Sequence, residues 1–180
     1  MKTLIVCASR YGSTLTIGRW IADRLPWGTV DVYPVDRAPG PEGYELIFLG
    51  GGVYDEGVSK EIISYARKNV DSLKNKRIVL FAVCLDTKGV YVPEGKFYGG
   101  WHYLNSLLEL MKGFPPVYAG LLSGEINPKK LTETDYRLLK VFYGKILKRN
   151  ITEVPYKTMM SKPEVWEFVE KVLARLEGGF

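Results

Sequence analysis

Cysteine and histidine are almost missing from this chain of 180 residues, which has two of the first and one of the second. Cys7 and Cys84 lie far apart, each inside an apolar run, so neither a disulfide framework nor a CxxC redox pair is indicated. Both read as ordinary buried thiols. His102 alone cannot build a His-rich metal site, and a Ser/His/Asp triad would have to use that one residue. No metal is expected. No stretch reaches the roughly 18 to 20 uncharged apolar residues that cross a bilayer. The opening Met1-Lys2-Thr3 runs into an apolar stretch with no small-residue cleavage site behind it, so a cytoplasmic location is expected. Repeats and dividing linkers are also lacking, and residues 1–180 are expected to form one domain, a size that buries roughly 70% of the unfolded chain's surface. The net charge of +5 suits anionic ligands, and equally suits a merely soluble protein.

What is present is a regular alternation of strands and helices. Thr3 to Ala8 is an unbroken apolar run, as expected of a strand buried on both faces of a parallel sheet. Ile17, Trp20, Ile21, Ala22 and Leu25 then recur at helical spacing until Pro26 and Gly28. Thr29 to Val35 alternates like an outer strand. Leu46 to Leu49 reads as a second buried strand ending in Gly50-Gly51-Gly52, and Ile62, Ile63, Ala66 and Val70 mark the next helix. Arg77 to Val83 is the most apolar strand and is expected at the centre. A long Gly- and Tyr-rich loop from about Leu85 to Gly100 leads to a helix carrying Leu104, Leu107, Leu108 and Met111, then a strand near Val117 to Leu122. Helices over about Thr132 to Arg149 and Pro163 to Leu176 follow. Strands separated by single helices predict an α/β fold, a doubly wound five-stranded parallel sheet with right-handed crossovers.

Ligands of open α/β sheets lie beyond the carboxyl ends of the strands, where the strand order reverses. Three loops should meet there. Ser9-Arg10-Tyr11-Gly12-Ser13-Thr14 offers hydroxyls, a glycine for close backbone approach and the amides that begin a helix, which are the donors a phosphate needs. A helix simply capped by Ser13 or Thr14 would look the same. The second loop, Gly50 to Gly57, carries Tyr54, whose ring could lie against a planar heterocycle or on the surface of a plain turn. The third holds Cys84, Leu85, Asp86 and Thr87, then Tyr91, Phe97, Tyr98 and Trp101; so many aromatics in one long loop point to a site, though some will be local packing. A Rossmann fingerprint fails because Gly50 and Gly52 are followed by Asp55 where the third glycine belongs. The P-loop fails as well, since Gly95-Lys96 precedes Phe97 and Val90 stands where the first glycine belongs. A phospho-accepting receiver would carry carboxylates at its strand ends, where Ser9 and Gly50 stand.

With these loops the sequence resembles the flavodoxin family, whose phosphate loop reads S/T-x-T-G-x-T after the first strand. Ser9, Gly12 and Thr14 match; Tyr11 replaces the middle threonine and Arg10 adds a cation. The order S-R-x-G-x-T is more similar to the flavodoxin-domain group that includes menaquinone-dependent protoporphyrinogen IX dehydrogenase, as are Leu49-Gly50-Gly51-Gly52-Val53-Tyr54 and the basic helix late in the chain. The resemblance implies flavin mononucleotide (FMN), with its phosphate on Ser9 to Thr14 and its ring between the Tyr54 loop and the loop from Leu85 to Trp101. Gly52 would join the cofactor contacts, backbone from Val53 to Gly57 would address the flavin N5, and the cofactor would perform the redox chemistry, leaving no residue in a catalytic acid–base role. Asp55 and Asp86 read either as modulators of potential or as turn residues. A redox partner protein or a quinone is the implied partner. Oxidation of protoporphyrinogen IX by a quinone is the enzymatic alternative, and a non-redox binding module on the same fold is a third.

Between Tyr136 and Asn150 stand Arg137, Lys140, Lys145, Lys148 and Arg149, with no acidic residue. Leu138, Leu139, Phe142, Tyr143 and Ile146 share one arc of this helix. Such a helix suits an apolar face packed on the sheet beneath a solvated basic face, with peripheral contact of residues 136–149 with an anionic membrane as the alternative. Nucleic acid is not expected, because no recognised module accompanies the charge.

Overall fold

The computed structural model describes residues 1–54, 57–91, 95 and 97–178. Its frame is five parallel strands: β1 (Thr3–Ala8), β2 (Val30–Pro34), β3 (Leu46–Tyr54), β4 (Arg77–Cys84) and β5 (Tyr118–Ser123), in the order β2-β1-β3-β4-β5. The apolar run of β1 sorts by the two-residue period of a strand. Leu4 and Val6 enter one core, Ile5 and Cys7 the other, and all four are fully buried.

Helices α1 (Ser13–Arg24) and α5 (Lys162–Glu177) cover one face, where Ile17, Ile21, Val165, Phe168, Val169 and Val172 meet Phe48 and Phe81. On the opposite face α2 (Lys60–Lys68) and α3 (Asn105–Leu110) bring Ile62, Ala66 and Leu107 against Ile47, Leu49 and Leu80. The sheet is doubly wound, as the alternation of elements predicts. The edge place of β2 also agrees, with Pro34 tolerated where no further strand needs its missing amide.

Two expectations are corrected. The most apolar strand, β4, is interior but not central; the middle place belongs to β3, which pairs with β1 and β4. Apolar content reports burial on both faces, which every inner strand shares, and so does not rank them. Nor does Gly50-Gly51-Gly52 end the strand, since β3 continues through Tyr54 and turns back on a two-residue strand, Gly57–Val58. A Cβ on Gly50 would stand 1.9 Å from Phe81 Cζ, and one on Gly51 2.4 Å from Val58 Cγ2. Glycine is required there by close neighbours within the sheet and not by a turn.

The helix over 132–149 is α4 (Glu133–Val141), continued by one π-helical turn, Phe142–Ile146. Its apolar arc does not pack on a face of the sheet, because α1 with α5 and α2 with α3 already occupy both. Tyr136, Leu139 and Tyr143 instead form a small separate core with Ile126 and Val154. Leu138 and Val141 remain 52% and 50% exposed.

Candidate functional site

The chain leaves β1 for the edge strand β2 and returns across β1 to β3, so the strand order reverses between β1 and β3, and a crevice opens at their carboxyl ends. Two of the three expected loops emerge there directly. In the first, Ser9 Oγ accepts the Gly12 amide at 3.0 Å, closing a turn that delivers the chain to α1. Gly12 stands at φ +99°, in the left-handed region, where an L-residue would cost about 1–2 kcal/mol. This glycine is the cap of α1. No side chain caps the helix, and its first turn holds no acidic residue, so the positive end of the helix dipole faces the crevice uncompensated. The plain Ser/Thr-capped helix is thereby set aside; α4, by contrast, is capped by Thr132 Oγ1, which accepts the Asp135 amide at 3.2 Å.

A cavity of about 510 Å³ opens at this point. Arg10, Tyr11, Ser13 and Thr14 of the first loop line it, together with Gly52, Val53 and Tyr54 of β3 and Cys84 and Leu85 after β4. Ser9 and Gly12 are not on this wall. Gly57 pairs with Tyr54 in the hairpin and is not part of the wall. Asp55 lies outside the described residues.

The third loop contributes less than its aromatics promise. It holds a short antiparallel pair, Val90–Tyr91 with Phe97–Tyr98. Tyr91 is 76% exposed and meets Phe97 edge-on at 4.9 Å, and Phe97 meets His102 at 5.1 Å. Trp101 is exposed and, like Thr87, Tyr91 and Asp86, stands off the cavity. Asp86 is a turn residue, since its Oδ1 accepts the Gly89 amide at 2.9 Å. Gly99 of the loop and Tyr103 of the helical turn after it, Gly100–Leu104, stand on the wall instead.

The rest of the wall escaped the sequence reading. Ile126, Leu131, Leu138, Leu139 and Phe142 give the cavity a broad apolar side, and Asp135 adds a carboxylate. The capping pattern Thr132-x-x-Asp135 marks a helix start in the sequence, but nothing local shows that this start faces the first loop, more than a hundred residues away.

The polar groups are tightly connected. Arg10 Nη1 donates to Asp135 Oδ2 at 2.7 Å, and the Tyr11 hydroxyl donates to the same oxygen. Arg10 also covers the Tyr54 ring at 4.2 Å, and the Arg10 amide donates to the Tyr54 hydroxyl at 2.9 Å. Partial burial works against the charge of Asp135, but hydrogen bonds from Tyr11 and Arg10 outweigh it and hold the carboxyl below the usual range. The same hydrogen bond raises Arg10 above its already high value. Burial pushes the Tyr54 phenol up, with Arg10 opposing. Burial also drives both thiols, Cys7 and Cys84, up to about 12, which leaves them protonated and unreactive at neutral pH. Beside Tyr54 lies a smaller cleft of about 140 Å³, lined in part by Ser9, Arg10 and Ser59. The Ser59 hydroxyl is buried without a hydrogen-bond partner among the described residues, a donor still in want of an acceptor.

A profile of the family described as flavodoxin domain matches residues 4–143. Among solved structures the chain is similar to oxidised flavodoxin 1 from Bacillus cereus, with a TM-score of 0.56 at 15% identity over 96% of this chain and 97% of that one. Two-electron reduced flavodoxin from Megasphaera elsdenii gives a TM-score of 0.56 at 12% identity, over 94% and 97% of the two chains. Oxidised flavodoxin 2 from Bacillus cereus gives 0.52 at 16% identity, over 97% and 99%. At such identities the likeness establishes the fold. No curated protein matches the chain.

Proposed function

The chain belongs to the flavodoxin domain family, and on that premise we propose that it binds FMN in the 510 Å³ cavity and serves as a redox flavoprotein. The observation that carries this reading is the open amino end of α1, capped by Gly12 and free of acidic residues, at the mouth of a cavity whose remaining surface is largely apolar. The residues present fit the group. Amides and hydroxyls of Ser13 and Thr14 suit its phosphate, and Val53, Tyr54 and Leu85 suit a flat heterocycle. When bound, FMN supplies the transfer of one or two electrons. The protein's part is to hold the phosphate, flank the ring and exclude water from it, using the apolar side from α4.

That apolar side, with Leu138 and Val141 half exposed at its lip and Arg137 and Lys140 beside them, favours a partner that presents an apolar, anionic or electron-poor surface. A quinone or an acidic redox protein answers to this description. Protoporphyrinogen IX is a second reading, favoured by the extent of the apolar wall, and an anionic membrane would meet the same basic rim.

The visible spectrum of the purified chain, followed by FMN titration, tests the proposal. Flavin absorbance is expected, with an affinity that falls about tenfold or more in Thr14→Val, which removes one donor to a charged group, and in Gly12→Val. Normal FMN affinity in both variants would sink the placement of the phosphate, and a chain that never quenches FMN fluorescence would sink the cofactor. Offering the dithionite-reduced protein a menaquinone analogue or an oxidised ferredoxin as electron acceptor, and the oxidised protein protoporphyrinogen IX as electron donor, separates the partners.

A further inference from the structure

The only cation in Ser9 to Thr14 is Arg10, and it is already engaged. Its Nη1 lies 2.7 Å from Asp135 Oδ2, in the first turn of α4 and 125 residues away in sequence. Asp135 is fixed in turn: the Tyr11 hydroxyl donates to its carboxylate, and the Tyr11 oxygen accepts the Thr132 amide at 3.2 Å. The Asp135 side chain is 17% exposed, so water screens the pair only in part. A loop that is cationic by its own sequence therefore presents a neutral pair to an arriving phosphate.

We propose that Asp135 is a specificity-determining residue that competes with the ligand's phosphate for Arg10, and so sets how strongly the site prefers a phosphorylated flavin over its dephosphorylated counterpart. This rests on the FMN reading of the cavity. A dianionic phosphate beside α1 must draw Arg10 from Asp135 or bind alongside a carboxylate that repels it; a flavin without phosphate meets neither condition. Removing the carboxylate while keeping its shape leaves the Arg10 charge uncompensated and available to the phosphate.

Fluorescence titrations with FMN and with riboflavin, run in parallel on the wild-type chain, Asp135→Asn, Arg10→Gln and the double variant, decide the matter. Asp135→Asn is expected to tighten FMN by roughly threefold or more, the scale of a partly exposed charge interaction, and to leave riboflavin unchanged. The gain should disappear in the Arg10→Gln background and shrink as salt is added. Asp135→Ser, whose short side chain suits a first helical turn, repeats the test should the asparagine variant fold poorly. Equal shifts for both flavins, weaker FMN binding, or a gain that survives without Arg10 would each overturn the inference while leaving the FMN site standing. A wild-type chain that binds neither flavin would overturn both.

Discussion

Gly50 and Gly12 are both needed as glycine, for opposite reasons. At Gly12 a Cβ would meet nothing within 4 Å, and the demand comes from φ +99° alone. At Gly50 the backbone is an ordinary strand, and the demand comes from the Phe81 ring, 1.9 Å from where a Cβ would stand. Gly50→Ala is therefore expected to destabilise the fold by about 1–3 kcal/mol through overpacking, read as a lower denaturant midpoint with an unchanged slope. A midpoint equal to wild type would mean that Phe81 moves aside at no cost. Gly12 could be assigned from its place between an apolar strand and a helical period. The triple glycine could not, because three glycines after an apolar run look like a turn until the strand beside them is known. For the same reason Tyr91 and Trp101 read as site residues, whereas Phe97 and His102 keep Tyr91 in local contacts and Trp101 stands in solvent.

Among the elements, α1 and α4 differ most from their sequence appearance. Both show helical periodicity, yet α1 buries Ile17 and Ile21 completely while α4 has no buried residue. Its stability comes from the Thr132 cap, the Glu133–Arg137 and Arg10–Asp135 pairs, and the small core around Tyr143. The exposed Glu133–Arg137 pair contributes little. Native-state hydrogen exchange should then show α4 opening locally and fast, while amides of β1, β3 and β4 exchange only through global unfolding. FMN should slow exchange at the start of α1. Protection in α4 equal to that in β4 would contradict the view that it is a loosely held wall of the cavity.

At the scale of the molecule, the sheet order brings the Ser9 to Thr14 loop and the end of β3 side by side, and α4 closes over them from the far end of the chain. Ligand and fold are then linked thermodynamically. FMN at about a hundred times its dissociation constant adds ~2.7 kcal/mol to stability, which for a chain of this size raises Tm by roughly 5–11 °C. Differential scanning fluorimetry with and without FMN checks this, and an unchanged Tm at saturating FMN would deny binding to the native state. The sequence alone determined the alternation of strands and helices, the burial of β1 and β4, the edge place of β2 and the glycine turn that opens α1, because each of these depends on residues a few positions apart. Tertiary structure alone decided that β3 holds the middle of the sheet, that α4 lies at the site and off the faces of the sheet, and that Arg10 faces Asp135. Those outcomes depend on which surfaces were already covered and on charges brought together from distant parts of the chain, and no local pattern encodes either.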